Sequence, residues 1–283
     1  MEKFDYLIEK IMDQDFNTEP FKFIYIENFF NKEDFERIVN AKQISTPPFE
    51  TTEEMCNKLQ KEFSYSPVSF PGCTPNVKSY LKWFDSNDSK YQVANKDLLE
   101  GVGIAFRLQS YEDTILEELV NFFNSDKWHK CIKKKFNKTK DTEVETAIQK
   151  YLSGYEISPH PDIRKKCATY MININHPKAE NLNLHTHFMK FKQSWQKIYQ
   201  YWTKNLEMDR CWVPWEWADT CFTHSKNNSI TMFAPDNDTL HAVKLKYNHL
   251  DYQRTQFYGN LWYTETKKYP KTNWKQLEGI NNE

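Results

Sequence analysis

The stretch Tyr151–Asn175, YLSGYEISPHPDIRKKCATYMININ, decides how the rest of this chain is read. It sets His160 and Asp162 one residue apart in a run of β-strand character. Side chains at i and i+2 of an extended segment project to the same side, so these two can converge on one metal ion while Pro161 faces away. A histidine and a carboxylate make two thirds of a three-residue metal site. Without a third ligand, the pair reads as an ordinary surface pair beside a proline turn.

Working outward, residues 147–157, 167–175, 229–234, 240–246 and 255–264 read as short strands separated by turn residues. That succession predicts an antiparallel jelly roll rather than a parallel α/β sheet. Between the strands, Phe191, Trp195, Ile198, Tyr199, Trp202 and Leu206 follow a 3.6-residue period, which predicts an amphipathic helix over 189–208. Trp212, Trp215 and Trp217 follow within six residues. They either pack an inserted segment, 178–222, onto the sheet or wall a substrate pocket, and packing is the simpler expectation.

Upstream, residues 1–146 read as mainly helical. Phe4, Leu7, Ile8 and Ile11 share one face of an opening helix, 21–26 resembles a strand, and Asn31 is a candidate N-cap for a helix bearing Phe35, Ile38 and Val39. A helix is expected over 53–63, a loop over 64–75, a buried strand over 102–108, and helices over 111–123 and around Trp128, Ile132 and Phe136. Gly101 and Gly103 lack the rest of a nucleotide-binding glycine loop.

Composition narrows the function classes. The 283 residues suit one large domain, with 265–283 as a C-terminal tail, and 20 Phe, 16 Tyr and 9 Trp supply an aromatic-rich core. Thirty-eight basic and 39 acidic residues nearly cancel, which argues against nucleic acid as a whole-surface ligand. Lys133, Lys134, Lys135, Lys138 and Lys140 read as a solvated helix end. Six cysteines without a CxxC spacing suggest reduced thiols and a cytoplasmic protein. No signal peptide or membrane span is evident.

For the third ligand, His176, His185, His187, His224, His241 and His249 all lie downstream of Asp162. His241 is the best placed, because a strand, a Pro/Asp/Asn turn and a second strand starting near Leu240 bring a strand edge back across the sheet. His185 and His187 lack the glutamate and glycines of a cupin ligand set, and the others sit in polar loops or beside proline. Two histidines and a carboxylate leave three coordination positions open, the arrangement expected of a non-haem iron(II) oxygenase. Arg254 follows 13 residues after His241. Its planar, permanently charged fork suits the distal carboxylate of a metal-bound dicarboxylate.

The series His160-Pro161-Asp162, His241-Ala242-Val243, then Arg254 ahead of an apolar strand resembles the HxD…H…R pattern of the Fe(II)/2-oxoglutarate-dependent dioxygenases, in particular the prolyl-hydroxylase-like branch. Tyr151-x-x-Gly154 ahead of the metal strand adds to it. The resemblance implies an α+β fold with a double-stranded β-helix core of cupin-like jelly-roll type. It also implies iron held by His160, Asp162 and His241, O2 as oxidant, and 2-oxoglutarate chelating the metal with its far carboxylate on Arg254. Tyr151, Thr169 and Asn173 would lie near the co-substrate. The presence of Asp162 favours hydroxylation over halogenation, on a small molecule or a peptidyl residue, with release of succinate and CO2. The long His241–Arg254 gap requires an extended hairpin through Tyr247–Asp251; without it, Lys244 or Lys246 would be the alternative anchor. A non-catalytic jelly-roll module using the tryptophan patch, or a metal-dependent hydrolase, are the competing classes.

Overall fold

The computed structural model describes residues 3–68, 76–85, 103–180, 182, 184–270, 272 and 274–280. Two long strands organise it: β4 (Thr142–Tyr151) and β11 (Arg254–Tyr263), paired antiparallel along their whole lengths from Arg254↔Tyr151 to Tyr263↔Thr142. Their residues alternate between two faces. Ile148, Phe257 and Leu261 join a large apolar cluster, whereas Gln149, Tyr151, Arg254, Gln256 and Tyr258 face an interior cavity.

In chain order the remaining strands are β1 (Phe23–Glu27), β2 (Tyr65–Pro67), β3 (Ala105–Leu108), β5 (Glu156–His160), β6 (Lys166–Asn173), β7 (Thr186–Phe191), β8 (Ala218–His224), β9 (Ser229–Phe233) and β10 (His241–Lys244). They form a seven-stranded sheet, β1-β9-β6-β11-β4-β3-β2, and a four-stranded sheet, β5-β10-β7-β8, with antiparallel neighbours throughout. From β4 onward the chain crosses between the sheets in the winding of a jelly roll. Phe23, Met171 and Phe233 of the large sheet pack with Phe188 and Phe222 of the small one and close one end of the sandwich.

Helices cover the outer face of the large sheet. These are α1 (Tyr6–Asp13), α2 (Lys32–Asn40), α3 (Thr52–Lys61), α4 (Val77–Asp85), α5 (Thr114–Phe123) and α6 (Asp126–Lys135). Leu7, Ile11, Ile38, Leu59, Leu119 and Ile132 meet Ile148, Ile172 and Phe257 there. Asn31 caps α2 as expected, its side chain accepting from Asp34 N at 2.8 Å. Packing against this layer is tight at Gly259, where an added Cβ would come within 2.1 Å of the Tyr170 ring. Lys135, from the basic run, donates to the carbonyls of Met12 and Gln14. No described helix is long and apolar enough to cross a membrane.

The structure revises four expectations. Residues 178–222 are not wholly an insertion, since they contain β7 and most of β8, which form half of the small sheet; the long stretch outside the sheets is 192–217. The helix expected over 189–208 is shorter, α7 (Gln196–Lys204): Met189 and Phe191 belong to β7, and Leu206 is 61% exposed. Apolar residues on both faces of β7 ran into the helical pattern and hid the strand. The run 147–157 breaks into β4 and β5 at Gly154, which has φ +86° and whose Cβ would strike the Trp83 ring. Finally, Tyr247–Asp251 is not a hairpin but the crossing from the small sheet to the large one. Cys73, Pro71 and Pro75 lie outside the described residues.

Residues 265–283 are more than a tail: α8 (Trp274–Ile280) buries Leu277 among Ile198, Trp202 and Val213. Trp217 is buried in the same cluster and stacks on Trp195 at 3.7 Å, while Trp215 donates to Glu156 at 2.7 Å. Trp215 and Trp217 thus pack within the segment outside the sheets, Trp212 is buried, and none of the three lines the cavity between the sheets.

Candidate metal centre and its cavity

Register brings the first two ligands together. His160 closes β5, His241 opens β10, and the two are directly paired across the strands, with ring centroids 4.3 Å apart. Asp162 lies past the end of β5, in the loop to β6, so a turn rather than strand pleating swings its carboxylate to within 3.9 Å of His160 Nε2. One donor atom from each of the three residues lies within 4.8 Å of the others, and no other such His/Cys/Asp/Glu group occurs among the described residues.

The donor atoms are aimed. His160 Nδ1 lies 2.8 Å from Ser158 O and His241 Nδ1 lies 3.0 Å from Thr239 O. Protonated Nδ1 donating to a carbonyl leaves each Nε2 lone pair facing the site, the tautomer a metal requires. Burial, and then the neighbouring His241, push the His160 imidazole down to about 3; burial also lowers His241. Burial would raise the Asp162 carboxyl, but the Lys166 ammonium, then His241 and His160, hold it well below the usual carboxylate range. The three are therefore two neutral imidazoles and a carboxylate at neutral pH.

Both Asp162 oxygens are held by β6. Lys166 Nζ donates to Oδ1 and Thr169 Oγ1 to Oδ2, each at 2.7 Å. The loop itself is braced by 192–217: Arg164 N donates to Asp209 Oδ1, the Arg164 side chain to the carbonyls of Met208 and Trp202, and Val213 N to Pro159 O. A segment absent from the cavity wall thus fixes the loop that carries a ligand.

The three ligands open on a cavity of about 490 Å3 lined from both sheets. Arg254 stands in it, fully buried as the first residue of β11. Its Nη2 donates to Thr186 Oγ1 at 2.7 Å and its guanidinium lies 5.1 Å over the Tyr151 ring. Nε and Nη1 are buried with no hydrogen-bond partner. Burying unsatisfied donors of a charged group is costly, so this pattern marks a guanidinium presented to an anion. Lys244 instead points outward to Glu156 at 3.3 Å and Lys246 is exposed, so neither serves as the alternative anchor.

Tyr151 and Thr169 line the cavity beside Arg254 and Asp162 respectively. Asn173 does not line it; its Oδ1 accepts from Gln256 Nε2 at 2.8 Å, steadying a residue that does. Most of the remaining histidines downstream have other partners. His224 bonds Ser229 and Thr231, His249 bonds Ser153 N and Thr52, and His176 caps the turn at Lys178. His187 approaches Thr220 Oγ1 at 3.3 Å, and His185 lies 6.1 Å from it, ring to ring.

Sequence reasoning missed Arg107, Glu145, Lys166, Tyr258 and Trp262 on the large-sheet side of the cavity. Arg107 pairs with Glu145 at 2.9 Å, and Glu145 also accepts from Trp262 Nε1 at 3.0 Å. Three of the missed wall residues carried a usable signal, since counting in twos from Arg254 along β11 reaches Tyr258 and Trp262, and counting in twos back from Tyr151 along β4 reaches Glu145.

No family model matches the sequence, and no curated protein matches it significantly. Among solved structures, the chain is similar to a prolyl hydroxylase from Trichoplax adhaerens in complex with a hypoxia-inducible-factor peptide, at 10% identity over 92% of this chain and 89% of that one, TM-score 0.42. It is similar to a Pseudomonas putida prolyl-4-hydroxylase at 8% identity over 74% and 97%, TM-score 0.37. It is also similar to HygX from Streptomyces hygroscopicus, solved with nickel, 2-oxoglutarate and hygromycin B, at 9% identity over 76% and 88%, TM-score 0.32. Likeness at these values decides nothing about the reaction, which has to be read from the cavity.

Proposed function

We propose that this chain is an Fe(II)- and 2-oxoglutarate-dependent oxygenase with a double-stranded β-helix core, hydroxylating an unactivated C–H of a small molecule or peptidyl residue. The observation that carries the reading is the pairing, within one cavity, of a two-histidine, one-carboxylate cluster with a buried arginine whose Nε and Nη1 have no partner. The cluster alone suits any of several metals. Joined to an unpartnered guanidinium in the same cavity, it suits a metal plus a dicarboxylate that bridges the distance between them.

His160, Asp162 and His241 would hold the metal, and Arg254 with Thr186 would hold the far carboxylate, with Tyr151 packed against the guanidinium. Thr169 supports Asp162, and Asn173 supports Gln256. Iron bound there supplies activation of O2 at the expense of 2-oxoglutarate, which leaves as succinate and CO2. The protein's own part is positional: it fixes the imidazole tautomers, orients the carboxylate through Thr169, and walls the site with Tyr155, Ile157 and Val243 to keep water out. The metal-dependent hydrolase reading gives Arg254 no task.

The test is the fate of 2-oxoglutarate. With Fe(II), the protein is expected to convert it to succinate only when O2 is present, and His160→Ala, Asp162→Ala and His241→Ala should each abolish the conversion. Protein that binds Fe(II) yet forms no succinate in air would remove the assignment.

A further inference from the structure

Lys166 is a charged group of the cavity whose one task so far is to hold Asp162 Oδ1. It opens β6, its side chain is 12% exposed, and its ammonium lies 5.3 Å from the Trp262 ring and 5.8 Å from the Tyr258 ring. Its carboxylate partner is Asp162, through Oδ1, and Asp162 is the third metal ligand. His160 Nε2 is 3.9 Å from that same Oδ1, so the oxygen Lys166 holds borders the space between the ligands.

These facts conflict once a dication enters. Asp162 then shares its charge with the metal, its pull on the ammonium weakens, and the dication repels the ammonium directly. A buried ammonium left without an anion is costly. The other carboxylate on the cavity wall, Glu145, is already committed to Arg107 and to the Trp262 indole. Aromatic faces on their own return only a small part of that cost. Arg254 stands apart, on Thr186 and Tyr151, and is needed by the co-substrate.

Resting on the proposed function, we infer that Lys166 is the substrate anchor: released from Asp162 by the metal, its ammonium takes a carboxylate or phosphate carried by the substrate, over the faces of Trp262 and Tyr258. Because Lys166 touches a metal ligand, the anionic group sits one side chain from the metal. The oxidised carbon is therefore a few bonds from the acid, which makes the substrate a compact acid or an acidic residue rather than a long neutral chain.

The experiment uses full-length protein loaded with Co(II), which is paramagnetic and does not turn over, and with 2-oxoglutarate. Carbon-13-labelled acetate and inorganic phosphate are titrated separately, and metal-induced relaxation of their 13C and 31P signals is measured. In wild type at least one anion should show saturable enhancement, and the one that saturates at lower concentration names the acid class. Lys166→Met should weaken that apparent affinity at least tenfold, and Lys166→Arg should recover most of it. If Lys166→Met does not fold, Lys166→Gln takes its place. Equal enhancement in the neutral variant, or none with either anion in wild type whose Co(II) spectrum and 2-oxoglutarate binding show a filled site, overturns the inference. Failure of wild type to bind Co(II) or 2-oxoglutarate would instead contradict the oxygenase reading itself.

Discussion

The two faces of the β4–β11 pair are built from alternate residues of the same two strands, and they treat buried polar groups in opposite ways. On the helix-covered face, Lys150 is fully buried, yet its ammonium is satisfied by Ile44 O at 2.7 Å and Thr255 Oγ1 at 3.1 Å, among Ile148 and Phe257. On the cavity face, one residue along from the Lys150↔Thr255 pair, Arg254 is equally buried and leaves Nε and Nη1 unmatched. In this pair the ammonium on the helix side has closed its hydrogen bonds, and the guanidinium on the cavity side leaves two nitrogens open for a ligand. Nearness in sequence says nothing about which is which; the face does.

Substitutions on the two faces should therefore separate stability from ligand binding. The largest effect is expected on the helix side. Phe257→Ala empties a site packed by Phe123 and Tyr170 and should cost about 3–5 kcal/mol of folding stability in denaturant titration. Its metal affinity in the folded protein should stay close to wild type.

On the cavity side the pattern reverses. Arg254→Met should weaken 2-oxoglutarate binding by about 2–3 kcal/mol, roughly 30- to 150-fold by calorimetry with Ni(II) in the site. It should leave thermal stability unchanged or raised, because the variant no longer buries unmatched donors. A large loss of stability would mean that the guanidinium is a structural group like Lys150 and would erase the contrast.

The last effect is a pH dependence on the helix side. Burial lowers the Lys150 ammonium from 10.5 to about 7. Between those values the unfolded chain binds the proton that the folded chain does not, so this residue makes stability rise with pH across that window, by at most about 1.4 kcal/mol per pH unit. Below pH 7 both states are protonated and the slope from this group vanishes. Lys150→Met should remove the rise, which is read as the difference between wild-type and variant denaturation midpoints at pH 7 and 9. Parallel curves would show that the ammonium stays charged on the helix side.

What the sequence disclosed follows the same division. His160, Asp162, His241 and Arg254 were legible because a strand, a turn and a strand place them at predictable register, and the jelly roll was legible from strand succession. The placement of Asp162 past the strand end was not, since it depends on contacts to Lys166 and Thr169 formed only when β6 pairs with β11. Strand β7 was hidden because 192–217 packs on its outer face, so Met189 and Phe191 are as apolar as the inward Phe188 and no two-residue alternation survives. Trp215 and Trp217 drew attention to themselves in sequence, yet they pack within 192–217, whose Asp209, Met208, Trp202 and Val213 brace the Asp162 loop. Lys166, which does face the cavity, carried no local motif at all, and Trp262 carried only its even spacing from Arg254 along β11.

The central claim is that the cluster and Arg254 act on one bound pair, a metal and 2-oxoglutarate. Anaerobic addition of 2-oxoglutarate to the Fe(II)-loaded protein tests it most directly, with visible absorption followed in wild type, Asp162→Ala and Arg254→Met. A metal-to-ligand charge-transfer band should appear in wild type, fail in Asp162→Ala, and require far more 2-oxoglutarate in Arg254→Met. A wild-type protein that holds Fe(II) and shows no such band, or a band that saturates identically without Arg254, would contradict the account.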